Sequence, residues 1–578
     1  MLLPNEPITV TISDWSRKLY GGGAQHKLIV PAEAIGQQEA VLVKFRAKPR
    51  PAPAEDAREK RVLVAMVDWA RVRPAREDEA MSTLEPFQPT PREIPVTARL
   101  RSVENRPAKA DVESFVALLK DGGANVVTIS PTNGHVVANF PSKFALHRPG
   151  MDPGWIPNVI KALREAQISV IFWMPFNVQD LRKVEDFAPA KQFPQWTMKF
   201  IPDPNRPERP QVGMCVQSSP YREHHAQFIA ECAAFDIDAM WFDGFYLGGI
   251  PHPTAPGCVC EFCAKRFKQA TGLDLPKQVD WADMTFKRWV RWRNEDIIAT
   301  MAYFRDAIRK VKPGLPVSAN TNHWPFGNKD WDTAIPLWRI TEFGSSEHAH
   351  SGKPELEWLM PGFKSRLSHD TNPEHADIWR PAFPMFRSSG TPADIARHEH
   401  DMLIFMLSAL SHGVVPWHGG QSSPFESEVR VHHAIAKRER FLSRNEVKHV
   451  AVWVSQDTHD FYGHIPGSSN LVDYRDTVLG NWLVLSRAHV PFQFVFDNMV
   501  TAGFLRDYKV LLAPNVAAMS AAAAEEVRRW VKAGGQLIFT AETSAYDEWG
   551  NKLAKPRLAD ADGHYLPRDP GLAYVRDR

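Results

Sequence analysis

The chain has 578 residues, more than one hydrophobic core usually organises, so two or three domains are expected, one of them large. Hydrophobic residues make up 44% and charged residues 24%, an ordinary globular balance that excludes a disordered or fibrous class. The net charge of +2 comes from 69 basic and 67 acidic residues spread along the chain, without the basic stripe a phosphate backbone needs, so no nucleic-acid partner is expected.

The 19 Trp and 32 Phe supply flat rings of the kind that stack on the C–H faces of sugars, although core packing accounts for most of them. No stretch approaches about 18 uninterrupted apolar residues, so no membrane partner is expected. The start, Met1-Leu2-Leu3-Pro4-Asn5-Glu6, lacks a basic region followed by an apolar one, and the reading is a cytoplasmic chain unless a leader was removed. Five cysteines, three of them clustered, fit a reducing compartment better than a secreted disulfide frame.

In chain order, residues 1–108 alternate short β-like runs (8–12, 27–30, 40–45, 61–67) with Pro- and charge-rich stretches, which predicts an N-terminal β-rich region. From Asp111 the pattern becomes helix, strand, helix, strand, which demands parallel pairing. Expected helices are 112–120, 155–166, 222–235, 263–271, 286–311 and 392–411, with a last one ending near Leu442. Expected strands are 125–130, 169–175, 212–216, 239–242, 316–320, 339–343, one near 378–386, and 414–417. Eight such strands predict a (β/α)8 TIM barrel over residues 109–446. Residues 447–578 then read as a doubly wound, flavodoxin-like α/β domain, with strands 449–454, 508–513 and 536–540 and a helix 521–532 ended by Gly534-Gly535. No Gly-rich phosphate fingerprint follows its first strand, so no nucleotide is assigned.

In a barrel the active site lies at the C-terminal ends of the strands, which singles out polar residues after apolar runs. Asp243 closes the run Ala239-Met240-Trp241-Phe242, and Gly244 after it lets the backbone turn away, with Tyr246 close behind. Such a carboxylate can act as a nucleophile, or can merely bond backbone amides at a strand end. Glycoside cleavage needs a second carboxyl group, and Glu342 and Glu347 both qualify as the acid/base. The choice between them stays open, as does retention against inversion. Asn133, Gly134, His135, Asn177, Tyr246, Asn320, Asn322, His348, Trp417 and His418 are candidate sugar ligands, and only their clustering at one end carries weight. Cys258, Cys260 and Cys263 have spacing that fits structural Zn²⁺ with His252 or a distant cysteine as fourth ligand, or three reduced thiols; no cofactor is expected for catalysis.

Trp241-Phe242-Asp243-Gly244, the Cys-rich loop, Arg266-Phe267, and residues 133–143 with Phe140-Pro141-Ser142-Lys143 resemble hypothetical glycosyl hydrolases related to α-L-fucosidases, often labelled α-amylase-like or β-galactosidase-like. Residues 511–540, with Ala513-Pro514-Asn515 and Trp530 to Gly535, resemble the trimerisation domain that follows the barrel in one large β-galactosidase family. The resemblance spans roughly residues 110–545 and implies that Asp243 matches the strand-four nucleophile, while neither glutamate matches an acid/base position. It also implies a homo-oligomer, dimer or trimer. The combined reading is a retaining, exo-acting glycosidase on a terminal sugar such as α-L-fucose or galactose, with an inverting enzyme or a non-catalytic carbohydrate-binding or assembly protein as alternatives.

Overall fold

The computed structural model describes residues 8–12, 15–19, 43–46, 100–103, 112–132, 137–148, 151–175, 178–180, 189–201, 211–217, 219–243, 258–319, 340–342, 346–348, 360–370, 381–384, 403–404, 406–412, 415–419, 425–438, 447–465, 467–559 and 572–574. They fall into two compact units, Met1–Met81 with Arg487–His489, and Ser82–Ser486 with Val490–Arg578. In the first unit, Ile8–Ile12 pairs antiparallel with Trp15–Leu19 on one side and Val43–Arg46 on the other. Its alternation of isoleucine, valine and threonine suits a pleated surface.

The second unit carries an eight-stranded sheet. Its strands are β1 (Leu100–Val103), β2 (Val126–Ile129), β3 (Ser169–Pro175), β4 (Ala239–Asp243), β5 (Val317–Ala319), β6 (Ser346–His348), β7 (Pro381–Pro384) and β8 (Val415–Gly419). Their order is β5-β4-β3-β2-β1-β8-β7-β6, and every described pairing is parallel. Apart from β5 and β6, which end the order, each strand therefore lies beside its neighbours in sequence, and all eight C-terminal ends point the same way.

One strand is added to those expected and two are corrected. The sheet opens at Leu100, inside the stretch assigned to the N-terminal region, because β1 pairs with both β2 and β8. Residues 212–216 are not a sheet strand: Gln211–Gly213 pairs antiparallel with Val178–Asp180, forming a separate two-stranded ribbon. The sixth strand is Ser346–His348 rather than 339–343, since its partner β7 aligns Glu347 with Phe383.

Helices α1 (Val112–Asp121), α2 (Trp155–Glu165) and α3 (Tyr221–Ala233) cover the sheet with stripes such as Trp155, Ile156, Val159, Ile160 and Leu163, at the i, i+3, i+4 spacing of one face. After α4 (Glu261–Thr271) comes α5 (Met284–Val311), which has 28 residues and is about 42 Å long at the usual rise. Its first turn is capped by Asp283, which accepts a bond from the Thr285 N–H. Two cores share this helix. Ile297, Met301, Phe304 and Ile308 pack with β2 to β5, whereas Phe286, Trp289, Val290 and Trp292 pack with a cysteine cluster.

Further helices are α6 (Met360–Asp370) and α7 (Phe425–Ala436). The C-terminal region forms a second parallel sheet of β9 (Val450–Val454), β10 (Phe492–Phe496), β11 (Val510–Ala513), β12 (Gln536–Phe539) and β13 (Leu572–Tyr574), in the order β10-β9-β11-β12-β13. It is flanked by α8 (Asn470–Arg487) and α9 (Ala521–Lys532). The turn after α9 needs glycine twice: Gly534 has φ +101°, and a Cβ on Gly535 would lie 2.3 Å from the Trp530 ring. Phe363 and Leu367 of α6 belong to the core of this second sheet, and Asp370 accepts the Phe494 N–H of edge strand β10 at 2.7 Å.

Between the two cores of α5 sits Asp296, 3% exposed and ion-paired with Arg266 of α4. Burial pushes its carboxyl up from 3.8 to about 6, against the pull of Arg266 and Arg222. Well below 3.8 the group is protonated whether or not the chain is folded; as pH rises from 3.8 to about 6 the unfolded chain loses its proton first, so the group's cost to the fold grows and then levels off. The stability of Asp296→Asn relative to wild type should therefore improve as pH rises from 4 to 6 and stay constant above, as read from urea midpoints. A pH-independent difference would contradict the assignment.

Candidate functional site

Asp243 is the last residue of β4, opposite Pro175 at the end of β3. Packing of the strand beneath it fixes its position: Met240, Trp241 and Phe242 are at most 1% exposed, and Trp241 stacks on Trp173 of β3 with ring centroids 6.5 Å apart. Below them Asp238 anchors the strand entrance, accepting the Val170 N–H at 2.7 Å and pairing with Arg164 of α2.

Glu347 and His348 lie on β6, and Trp417 and His418 on β8. All four thus belong to strands of the sheet that β4 belongs to. His135, Asn177, Tyr246, Asn320 and Asn322 lie outside the described residues, as do Asn133 and Gly134. Three buried polar residues absent from the sequence reading lie after β2. Asn139 donates to the Ser130 carbonyl at 2.9 Å, and Thr132 donates to the Val137 carbonyl at 3.1 Å. They brace the two ends of the segment that carries His135. Their signal was a run of hydroxyl and amide residues directly after an apolar strand.

Glu342 lies elsewhere. Its carboxylate accepts the Val317 N–H at 2.9 Å and pairs with Arg309, and its own N–H donates to the Val317 carbonyl at 3.0 Å. Val317 opens β5 and aligns with Met240, three positions before Asp243, or roughly 10 Å lower along the strands. Glu342 therefore does at the start of β5 what Asp238 does at the start of β3. Both belong to the end of the sheet where a barrel keeps its stabilising contacts.

The cysteine triplet acquires a fourth member, Cys215, from the segment that follows the Gln211–Gly213 ribbon. The four sulfurs lie within 4.8 Å of one another, with Cys215 Sγ 3.5 Å from Cys263 Sγ and 3.6 Å from Cys260 Sγ. A tetrahedral Zn²⁺ with four thiolates needs sulfur separations of about 3.8 Å, so the set fits. Hydrogen bonds from Cys215, then Cys258 and Cys263, hold the Cys260 thiol far below its ordinary value, whereas burial pushes Cys258 up and hydrogen bonds from the other cysteines push Cys263 up. Lys199 and Cys260 N–H groups each donate to Cys258 Sγ at 3.4 Å. The distant cysteine expected as fourth ligand is thus Cys215, while His252 lies outside the described residues.

Residues 449–556 match the family described as the β-galactosidase trimerisation domain. No curated protein sequence matches the chain. Among solved structures, a β-galactosidase from Bacillus circulans sp. alkalophilus is similar at TM-score 0.61 and 14% identity, over 81% of this chain and 74% of that one. An α-L-fucosidase isoenzyme from Paenibacillus thiaminolyticus gives 0.54 and 18%, over 78% and 65%. An exo-carrageenase from Bacteroides ovatus gives 0.56 and 13%, over 83% and 68%. The chain thus has the fold of these enzymes, an α/β barrel-like domain followed by a β-galactosidase trimerisation domain.

Metal analysis of the purified protein should find one Zn²⁺ per chain, held by Cys215, Cys258, Cys260 and Cys263. Cys215→Ser should lower the zinc content and the thermal midpoint together. Full zinc retention in that variant would remove Cys215 from the ligand set.

Proposed function

We propose that the chain is a glycoside hydrolase on a closed (β/α)8 barrel, exo-acting and retaining, with Asp243 as nucleophile, Glu347 as acid/base, and a terminal fucose- or galactose-type sugar as substrate. The observation that carries this reading is the polarity of the sheet. Asp243 ends β4 and Glu347 lies on β6, whereas the carboxylate of Glu342, the rival acid, is tied to the start of β5. Closure is supported by the consecutive strand order, and by the Glu342 N–H bond to Val317, which brings the chain leading into β6 beside β5. The enzymes sharing the fold act on sugars, which supports the substrate class.

In this mechanism Asp243 attacks the anomeric carbon while Glu347 protonates the departing oxygen, then draws a proton from the water that releases the sugar. His348 on β6 and Trp417 and His418 on β8, strands of the same sheet, are the candidate ligands for the sugar's hydroxyls and C–H face. The C-terminal region has the 2-1-3-4-5 strand order of flavodoxin-like domains, and its trimerisation-family match supports a homo-oligomer.

On a panel of nitrophenyl glycosides, Asp243→Asn and Glu347→Gln should each lower kcat by about a hundredfold to ten-thousandfold. Glu342→Ala should keep kcat and lose about 1 to 3 kcal/mol of stability, because the Val317 N–H and Arg309 lose their partner. An inactive Glu342→Ala beside an active Glu347→Gln would reverse the assignment. NMR of the first product should show retained configuration, and inversion would replace the nucleophile with a base. Light scattering should report a particle of three chains, and a monomer at micromolar concentration would contradict the assembly.

A further inference from the structure

In doubly wound sheets the ligand crevice opens at the C-terminal ends of the strands, where the strand order reverses. Here that point lies between the ends of β9 and β11. The segment leaving β9 makes a single π-helical turn, Thr458–Tyr462, held by Asp497, which accepts the Gln456 and Asp457 N–H groups at 2.8 and 3.2 Å. What faces this turn is the first half of α5. Arg291 donates to Asp457 at 2.8 Å and to the Glu548 carbonyl at 2.7 Å, and Asn294 donates to Asp460 at 3.1 Å. Lys287 donates to the Trp549 carbonyl at 2.6 Å.

The same contact reaches the cysteines. Phe461 from the π-turn is buried in one hydrophobic cluster with Cys215, Cys258, Cys260 and Cys263, and Trp549 packs against that cluster. The Arg291 guanidinium lies 3.8 Å from the Trp549 ring centroid and 5.1 Å from that of Phe461. Gly550, at φ +73°, lets the Asp547–Gly550 turn close on the π-turn, since a Cβ there would stand 2.9 Å from the Phe461 backbone. Trp289 and Trp292 on α5 belong to the same cluster.

We propose that the switch-point crevice of the C-terminal domain is a socket for the chain's own helix α5, and that Arg291, Phe461 and Trp549 are positioning residues for a metal ion they do not touch. Docking removes one wall of freedom from the thiolate cluster, so the domain that carries the trimerisation match also sets how firmly the metal is held. This rests on the thiols binding a metal and not on the glycosidase reading.

The test uses the full chain loaded with Co²⁺, whose visible bands report tetrahedral thiolate geometry, and follows release to a chelator. Arg291→Ala and Trp549→Ala should each release cobalt about tenfold faster than wild type, with weakened visible bands and unchanged helix content. Arg291→Lys, which keeps the charge, should recover part of the loss. Should Arg291→Ala not be obtained folded, Trp549→Ala carries the same outcomes. Wild-type release and bands in the folded variants, or no cobalt uptake by wild type, would overturn the proposal. Because no sugar is turned over, a catalytically inactive chain leaves the result intact.

Discussion

Parallel pairing is the constraint from which the rest follows. When every strand of a sheet runs the same way, its two ends become chemically different surfaces: one collects the segments entering the strands, the other those leaving. At the entering end, Asp238 and Glu342 bind free N–H groups of Val170 and Val317 and pair with Arg164 and Arg309. The leaving end holds Asp243, with nothing but apolar side chains directly beneath it in β4. In the proposed mechanism the carboxylates at the two ends thus have different uses, bracing for Asp238 and Glu342 and chemistry for Asp243.

The second organising element is α5. A helix about 42 Å long outruns the sheet it covers, and its surplus length joins the cysteine cluster to the C-terminal domain. Asp296 marks the changeover, where the helix leaves one core and enters the other, and the pairing with Arg266 fastens it to α4 directly behind the cysteines. Buried charge at such a joint costs stability, and its pairing fixes geometry more than it adds strength.

Most of the alternation of helix and strand was legible in the sequence. The helix expected at 521–532 is the one observed, and Asp243 was placed at a strand end because four apolar residues precede it. The failures have physical causes. Leu100-Arg101-Ser102-Val103 is too short and too polar to read as a buried strand, and only its neighbours β2 and β8 make it one. Residues 212–216 have the apolar character of a strand but pair in a separate ribbon, a choice made by tertiary contacts. Displacing the sixth strand toward 339–343 made Glu342 look like a strand-end residue. Cys215 is separated from the triplet by the whole of α3 and β4, a distance across which spacing carries no information.

The central claim is that Asp243 attacks the anomeric carbon, and trapping tests it most directly. Sugars fluorinated beside the anomeric centre and carrying a good leaving group would be incubated with the protein, and the labelled peptide located by mass spectrometry. The account predicts one glycosyl group per chain, on Asp243. A label on Glu347, on another residue, or on none despite measurable turnover of the parent glycoside would contradict it.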